Sequence, residues 1–179
     1  MRERHANRGY SLLELLMTLG LLTIVLTLGV PSFGNILSNQ RLMSQTNALF
    51  HDVHLARKES VVRRRVVSLC PTVDGDICDT SFDWSAGWMM FVNLDRDWPA
   101  VRDRNEPVLK QYQATASVRI MSNRRSFSLR STELRATNGT VVFCDRKGRG
   151  TARALIISYT GRPRVAYKTR RGKGYQCAD

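Results

Sequence analysis

The sequence lacks the groupings of residues that enzymes and metal sites require. Ser11 and the three histidines form no nucleophile–base set, and no glycine-rich phosphate loop opens a helix. The four cysteines include no C-x2-C pair and have no histidine nearby, which disfavours zinc. The acidic stretch 74–106 lacks the glycine that a calcium loop starting at Asp95 needs at its sixth position, so we interpret it as a solvated loop. We therefore predict no catalytic residue, no metal and no cofactor, and we predict that the protein is not an enzyme.

Acidic residues are scarce: 15 Asp and Glu stand against 28 Lys and Arg, which gives a formal net charge of +13 and a sequence pI near 10.5. Such an excess implies an anionic partner, for example nucleic acid, acidic lipid or the acidic face of a protein. The alternative is that the charge serves only general solubility. The length of 179 residues suits one compact domain behind an N-terminal segment.

Charge is almost absent from residues 10–30, where Glu14 is the one charged side chain. As a helix this run is about 30 Å long, enough to cross a bilayer core. A basic patch precedes it, which predicts a cytoplasmic N-terminus and an exported remainder. No small-x-small site for signal peptidase ends the run, and a carboxylate inside an apolar span needs a partner. A cut after Gly9 supplies one, because the new amine of Tyr10 in one subunit can pair with Glu14 of a neighbour.

All four cysteines follow this apolar run. In an exported domain an even number of cysteines indicates disulfides, and four cysteines allow three pairings. We favour the neighbour pairing, in which Cys70 bonds to Cys78 across a turn-rich loop and Cys144 bonds to Cys177. The second bond would tie the C-terminus to an internal strand.

Two periodicities divide the rest of the chain. Leu42, Leu49, Val53 and Ala56 recur at helical spacing, which predicts an amphipathic helix that continues the apolar run and packs on a sheet. Short strand-like segments separated by turn residues follow, with no helices between them. We predict strands at residues 66–70, 88–92, 108–112, 118–120, 126–129, 140–143 and 154–158. The fold class is therefore α+β, a long N-terminal helix packed on an antiparallel β domain.

The C-terminal 36 residues concentrate the positive charge, and glycines and three tyrosines are interleaved with it. Arginine can bind phosphates bidentately and exposed tyrosine can stack on bases, so one interpretation of these loop-borne cations is DNA binding without sequence preference. On composition alone an equal alternative is that these charges are ordinary loop charges or dock onto the acidic surface of a partner protein. The candidate DNA-binding residues are Arg146, Lys147, Arg149, Arg162, Arg164, Lys168, Arg170, Arg171 and Lys173.

The sequence Arg-Gly-Tyr-Ser-Leu-Leu-Glu at residues 8–14 resembles the class III signal of type IV pilins and pseudopilins. The resemblance implies cleavage by a prepilin peptidase between Gly9 and Tyr10, methylation of the new N-terminus, and a role for Glu14 in assembly. It places the protein in the bacterial inner membrane, with a periplasmic C-terminal domain, and later in the pilus fibre at the cell surface. The implied segments are a leader at 1–9, a transmembrane and pilus-core helix at 10–30, its amphipathic continuation at 31–62, and a globular β domain at 63–179.

The interior of the chain resembles the GspH/FimT group of minor pilins. The matching phrases are W-x-x-G-W-x-x-F-V-N-x-D from Trp84, E-P-V-L from Glu106, F-C-D-x-x-G from Phe143 and I-I-S-x-x-G-R-P-R from Ile156. In FimT-like pilins of naturally transformable bacteria a C-terminal G-R-x-R motif is implicated in DNA binding. Here the motif occupies residues 161–164, so the resemblance assigns DNA binding to Arg162 and Arg164; the other seven cations rest on charge alone.

Three hypotheses follow. In the first, the chain is a minor pilin that binds extracellular DNA for natural transformation. In the second, it primes pilus assembly together with major and minor pilins and does not touch DNA. In the third, it is a pseudopilin of type II secretion. The concentration of charge around the G-R-x-R motif favours the first.

Overall fold

The structure is a computed structural model that describes residues 10–131 and 135–176, without the side chains of residues 28–32. The chain divides into two compact units, Met1–Leu37 and Ser38–Asp179. One helix, α1 (Leu12–Arg63), begins in the first unit and ends in the second. The predicted leader, residues 1–9, lies outside the described residues.

The first unit is helical from Leu12, and Ser11 caps its start. The Ser11 hydroxyl accepts the backbone N–H of Glu14 at 3.3 Å, and the Ser11 carbonyl accepts that of Leu15 at 3.2 Å. In the part of the chain that the structure describes, no helix is long and apolar enough to cross a membrane. The side chains of residues 28–30 in the predicted span lie outside the described residues, and the span stays a prediction.

Eight strands form two antiparallel sheets in the second unit. In chain order they are β1 (Val66–Pro71), β2 (Gly87–Asn93), β3 (Val108–Gln113), β4 (Val118–Ser122), β5 (Phe127–Leu129), β6 (Gly139–Asp145), β7 (Arg153–Ile157) and β8 (Pro163–Ala166). The first sheet has the order β3-β2-β1-β5 and the second β4-β6-β7-β8. This confirms the predicted α+β class.

The main core lies between the second half of α1 and the two sheets. Leu42, Leu49, Val53 and Ala56 are fully buried there, as their helical spacing predicts. They pack in one cluster with Trp84, Trp88, Phe127, Phe143 and Leu155. Burial of each large apolar side chain stabilises the fold by about 1.5–3 kcal/mol.

A second cluster covers the opposite face of the first sheet. It contains Met89, Phe91 and Ala100 together with Cys70 and Cys78, whose sulfur atoms are bonded at 2.07 Å. Strands β1 and β2 are therefore buried on both faces, which explains the unbroken apolar run at residues 88–92. The disulfide is the first bond of the favoured pairing.

Seven of the eight strands lie where the sequence analysis predicts them, with ends that differ by one or two residues. Strand β8 was not predicted, because it begins with a proline and is only four residues long. It pairs with β7 and, among the described residues, has no partner on its other side. An edge strand tolerates a proline because one of its sides makes no ladder hydrogen bonds.

A buried polar cluster joins α1 to the first sheet. The Asp52 carboxylate, 2% exposed, accepts the indole N–H of Trp88 at 2.8 Å and the Lys110 ammonium at 2.5 Å. The ring of Tyr112 stacks on Trp88 with centroids 4.3 Å apart, and its hydroxyl accepts the side-chain amide of Gln45 at 3.2 Å. These bonds fix the position of the helix along the sheet.

Candidate nucleic-acid interface

The nine candidate cations share one property, which is exposure to solvent. Among the described residues, just one of them has a carboxylate within 4 Å: the Arg149 Nε atom lies 3.9 Å from the Asp145 side chain. Eight cations are therefore available to an anionic partner. Strong uncompensated charge on one stretch of a surface is the electrostatic footprint of nucleic-acid binding.

The second sheet separates the nine cations into two groups. Strand β7 runs antiparallel to both β6 and β8, so the β6–β7 loop and the β7–β8 turn lie at opposite ends of β7. These ends are about 13 Å apart, at the usual rise of a strand. The turn holds Arg162, and Arg164 follows it on β8. The β6–β7 loop holds Arg146, Lys147 and Arg149. The other four cations follow the end of β8, which pairs with the start of β7, the end of β7 that also holds this loop.

The β7–β8 turn, residues 158–162, is held closed by its own hydrogen bonds. The Ser158 N–H donates to the Arg162 carbonyl at 3.1 Å, and the Arg162 N–H donates to the Ser158 hydroxyl at 3.2 Å. The Gly161 N–H donates to the Ser158 carbonyl at 2.9 Å, and the Arg57 guanidinium donates to the Thr160 carbonyl. Helix α1 therefore supports the turn that presents Arg162.

Gly161 is required at its position for two reasons. Its φ of +71° lies in the left-handed region, which glycine adopts without cost. A Cβ atom there would also lie 2.9 Å from Leu129 Cδ1 and 3.4 Å from the Ala136 Cβ atom. The glycine of the G-R-x-R motif thus allows the turn to pack closely on the core.

Arg164 lies on strand β8, which corrects the expectation that all the cations are borne on loops. It pairs with Ile156 of β7. Its neighbours Pro163 and Val165 face the core, where Pro163 is buried and Val165 packs on the main cluster. Since side chains alternate along a strand, Arg164 points away from the core and is exposed.

The chain after β8 folds back on itself as a small hairpin. Lys168 and Gly174 form a bridge, the Thr169 N–H donates to the Lys173 carbonyl at 2.8 Å, and the Gly172 N–H donates to the Thr169 carbonyl at 2.9 Å. This hairpin borders an open hollow of about 560 Å³. The hollow is lined by Thr169, Arg170, Arg171, Lys173, Gly174, Tyr175 and Gln176.

The β6–β7 loop is fixed by Asp145. Its buried carboxylate accepts the backbone N–H groups of Lys147 at 3.2 Å and Arg149 at 3.0 Å, and the hydroxyl of Ser38 at 3.2 Å. The loop also contacts helix α1 through Asn39, whose side-chain oxygen accepts the Thr151 N–H at 3.0 Å. Lys147 and Arg149 are therefore presented by an ordered loop.

Four further arginines belong to this surface or border it, and the sequence analysis did not assign them. Arg153 begins β7, at the end that holds the β6–β7 loop, and lies over the ring of Tyr167, 5.4 Å from its centroid. Arg57, Arg130 and Arg135 line a cleft beside the β7–β8 turn. Arg153 could have been added from its place among the C-terminal charges, but the other three come from distant parts of the sequence.

The remaining predicted residues lie elsewhere. Tyr10 and Glu14 are exposed in the first unit, and Gly9 lies outside the described residues. Cys144 is buried on β6, whereas Cys177 lies outside the described residues, so the bond between them stays a prediction. No group of three or more potential metal ligands occurs within residues 10–131 and 135–176.

Solved structures that resemble this chain include minor pilins. Two crystal forms of the type IV minor pilin FimU from Pseudomonas aeruginosa are 20% identical to this chain. One gives a TM-score of 0.51 over 69% of this chain and 91% of that chain, and the other gives 0.52 over 71% and 89%. The minor pseudopilin EpsH from the type 2 secretion system of Vibrio cholerae gives 0.49 at 9% identity, over 70% and 96%. The two FimU structures show that the protein has the fold of a minor pilin.

Family membership follows from the sequence. The family described as "Type II transport protein GspH" matches residues 45–161. The chain belongs to this family of minor pilins and pseudopilins. Members are structural subunits that associate with other pilins in a pilus or pseudopilus, and they are not enzymes. A comparison with curated proteins gives no match.

Proposed function

We propose that this minor pilin binds extracellular DNA without sequence preference, through its basic C-terminal region, for uptake in natural transformation. One observation carries the proposal: nine exposed cations lie on edge strand β8, on the loops at the two ends of β7 and on the hairpin after β8, and among the described residues one alone is near a carboxylate. An acidic surface would complement the same cations, but guanidinium groups on fixed turns suit the bidentate recognition of phosphates.

The arrangement along β8 favours an extended anion. Arg162 precedes the strand, Arg164 lies on it, and Lys168 follows it. Duplex DNA carries about one charge per 1.7 Å of its axis, so a duplex bound along this edge brings several phosphates close to these cations. If four to six phosphates are neutralised, the logarithm of the binding constant falls against the logarithm of salt concentration with a slope of about −3 to −5.

The route to the cell surface is part of the proposal. A prepilin peptidase cuts after Gly9, the amine of Tyr10 is methylated, and residues 10–30 hold the protein in the inner membrane before assembly. Glu14 then pairs with the Tyr10 amine of a neighbouring subunit in the fibre. Membership of the pilin family and the matching N-terminal signal support this order of events.

The test uses the full chain in a non-ionic detergent and a fluorescent duplex of about 20 base pairs over a salt series. The variant Arg162→Ala/Arg164→Ala is compared with Arg96→Gly/Arg104→Ala, which removes two exposed charges from the acidic loop. Glycine suits position 96, where φ is +63°. We expect the first variant to make the slope shallower by about 2 and the control to leave it unchanged. Absence of binding by the unaltered protein at low salt would refute DNA capture.

The description of the family as type II transport proteins favours a second candidate, a pseudopilin that acts in secretion or assembly without DNA. Deletion of the gene separates the candidates. Normal pili with poor transformation are expected for DNA capture, whereas loss of pili indicates assembly priming. Loss of secretion with normal pili indicates a pseudopilus.

A further inference from the structure

A cleft of about 330 Å³ lies on the side of the β7–β8 turn that faces the end of helix α1. Three elements besides the turn build it: the last turns of α1, the end of β5, and the segment that follows residue 134. The lining residues are Arg57, Val61, Leu129, Arg130, Ser131, Arg135, Ala136, Tyr159, Thr160 and Gly161. Among the described lining residues three are arginines and none is acidic.

The charges of the three arginines are not neutralised within the described residues. None has a carboxylate within 4 Å there, and neither Arg130 nor Arg135 has a hydrogen-bond partner in that part of the chain. Arg57 uses one N–H for the Thr160 carbonyl and retains its other donors. Arg57 and Arg130 are also half-buried. Three like charges around one cleft repel one another, and an anionic ligand would relieve that repulsion.

The walls of the cleft are fixed before any ligand arrives. The Ala136 N–H donates to the Tyr159 carbonyl at 2.9 Å, which ties the segment after residue 134 to the turn. Arg135 lies over the ring of Tyr159, 5.7 Å from its centroid, and this contact restrains its side chain. Gly161 also lines the cleft, and a Cβ atom there would lie 2.9 Å from Leu129 Cδ1. A site with prearranged donors loses little entropy when it binds.

We propose that this cleft is a phosphate-binding site and that the phosphate comes from the backbone of DNA. The assignment to DNA rests on the function proposed above. The β7–β8 turn contributes to both the cleft and the proposed DNA-binding surface. Thr160 and Gly161 line the cleft, and the next residue, Arg162, is exposed on the DNA-binding surface. A nucleic acid bound along Arg162 and Arg164 therefore places neighbouring phosphates at the cleft. One guanidinium group can donate two parallel hydrogen bonds to the oxygens of a phosphate, so three such groups around one small cleft suit a phosphate ligand.

The test compares Arg130→Ala/Arg135→Ala with the control Arg96→Gly/Arg104→Ala in the full chain, in the same detergent. Both variants lose two positive charges, so a difference between them reports position and not net charge. Neither altered arginine of the cleft belongs to the core, and circular dichroism checks the fold. Arg57 is left intact because it supports the turn.

Two probes are used with each protein. With duplex DNA, the cleft variant is expected to give a salt slope shallower by about 1 to 2, while the control matches the unaltered protein. With pyrophosphate, the rise in melting temperature seen for the unaltered protein and the control is expected to fall by at least about half in the cleft variant, because binding to the folded state alone raises that temperature.

Each result decides one question. Equal slopes and equal temperature shifts for the cleft variant and the control would overturn the site. A selective loss of the pyrophosphate effect, with an unchanged DNA slope, would overturn the assignment to DNA but leave a phosphate site. If the unaltered protein binds no DNA, the proposed function fails, and the pyrophosphate measurement alone decides whether the cleft binds phosphate.

Discussion

Substitution of Gly161 by alanine tests whether close packing positions the DNA-binding turn. Two costs are expected: about 1–2 kcal/mol for alanine in the left-handed region, and about 1–3 kcal/mol for forcing a methyl group against Leu129. Gly148→Ala is the matched control, because Gly148 has φ +68° and no atom within 4 Å of its Cβ position. Backbone strain and the entropy of the unfolded chain then cancel between the two variants.

We therefore expect Gly161→Ala to have a free energy of unfolding about 1–3 kcal/mol below that of Gly148→Ala. The assay is urea unfolding of residues 38–179, followed by the fluorescence of the buried Trp84 and Trp88. DNA affinity should also fall for Gly161→Ala although no charge is removed, since the turn must move away from Leu129. Free energies of unfolding within about 0.5 kcal/mol of each other would refute the packing argument.

Three further predictions concern stability. Asp52→Ala leaves the buried indole N–H of Trp88 without an acceptor and should lower the free energy of unfolding by about 1–3 kcal/mol, with Asp52→Asn less damaging in the same urea assay. Cys70→Ala/Cys78→Ala should cost about 2–3 kcal/mol from loop entropy, and a loss near zero would contradict this. The backbone N–H groups of Ile77 and Asp76 lower the pKa of Asp74 below 3.8, whereas burial, with the charges of Asp95 and Asp103, raises the pKa of Asp97 above 3.8. The ionised Asp74 therefore stabilises the fold, and this stabilisation is lost as the pH falls through the folded-state pKa of Asp74. The ionised Asp97 destabilises the fold, and this effect grows as the pH rises from 3.8 through the folded-state pKa of Asp97. Carboxyl NMR titration should find the two pKa values on opposite sides of 3.8.

Local pattern was enough to predict most of the fold. Helical spacing identified Leu42, Leu49, Val53 and Ala56 as the buried face of α1, because burial on one side of a helix imposes that period on the sequence. Apolar runs likewise marked strands that are buried on both faces. Strand β8 carries neither signal: its register on β7 depends on hydrogen bonds to a neighbour and not on its own composition. The bond between Asp52 and Lys110 joins residues 58 apart and has no local signature.

The candidate site also depends on contacts between residues that are far apart in the sequence, and local pattern does not predict these contacts. The sequence presents the C-terminal cations as one basic region, yet the reversal of the chain at residues 158–162 sends Arg162 to one end of β7 and Arg146 and Lys147 to the other. The fold then gives Arg162 different neighbours, because α1 and the end of β5 bring Arg57 and Arg130 to the same turn. The distribution of charge along the sequence does not show which cations lie close together in the folded protein. If phosphate binding follows spatial proximity, Arg130→Ala should weaken DNA binding in the same way as Arg162→Ala, although 32 positions separate the two residues.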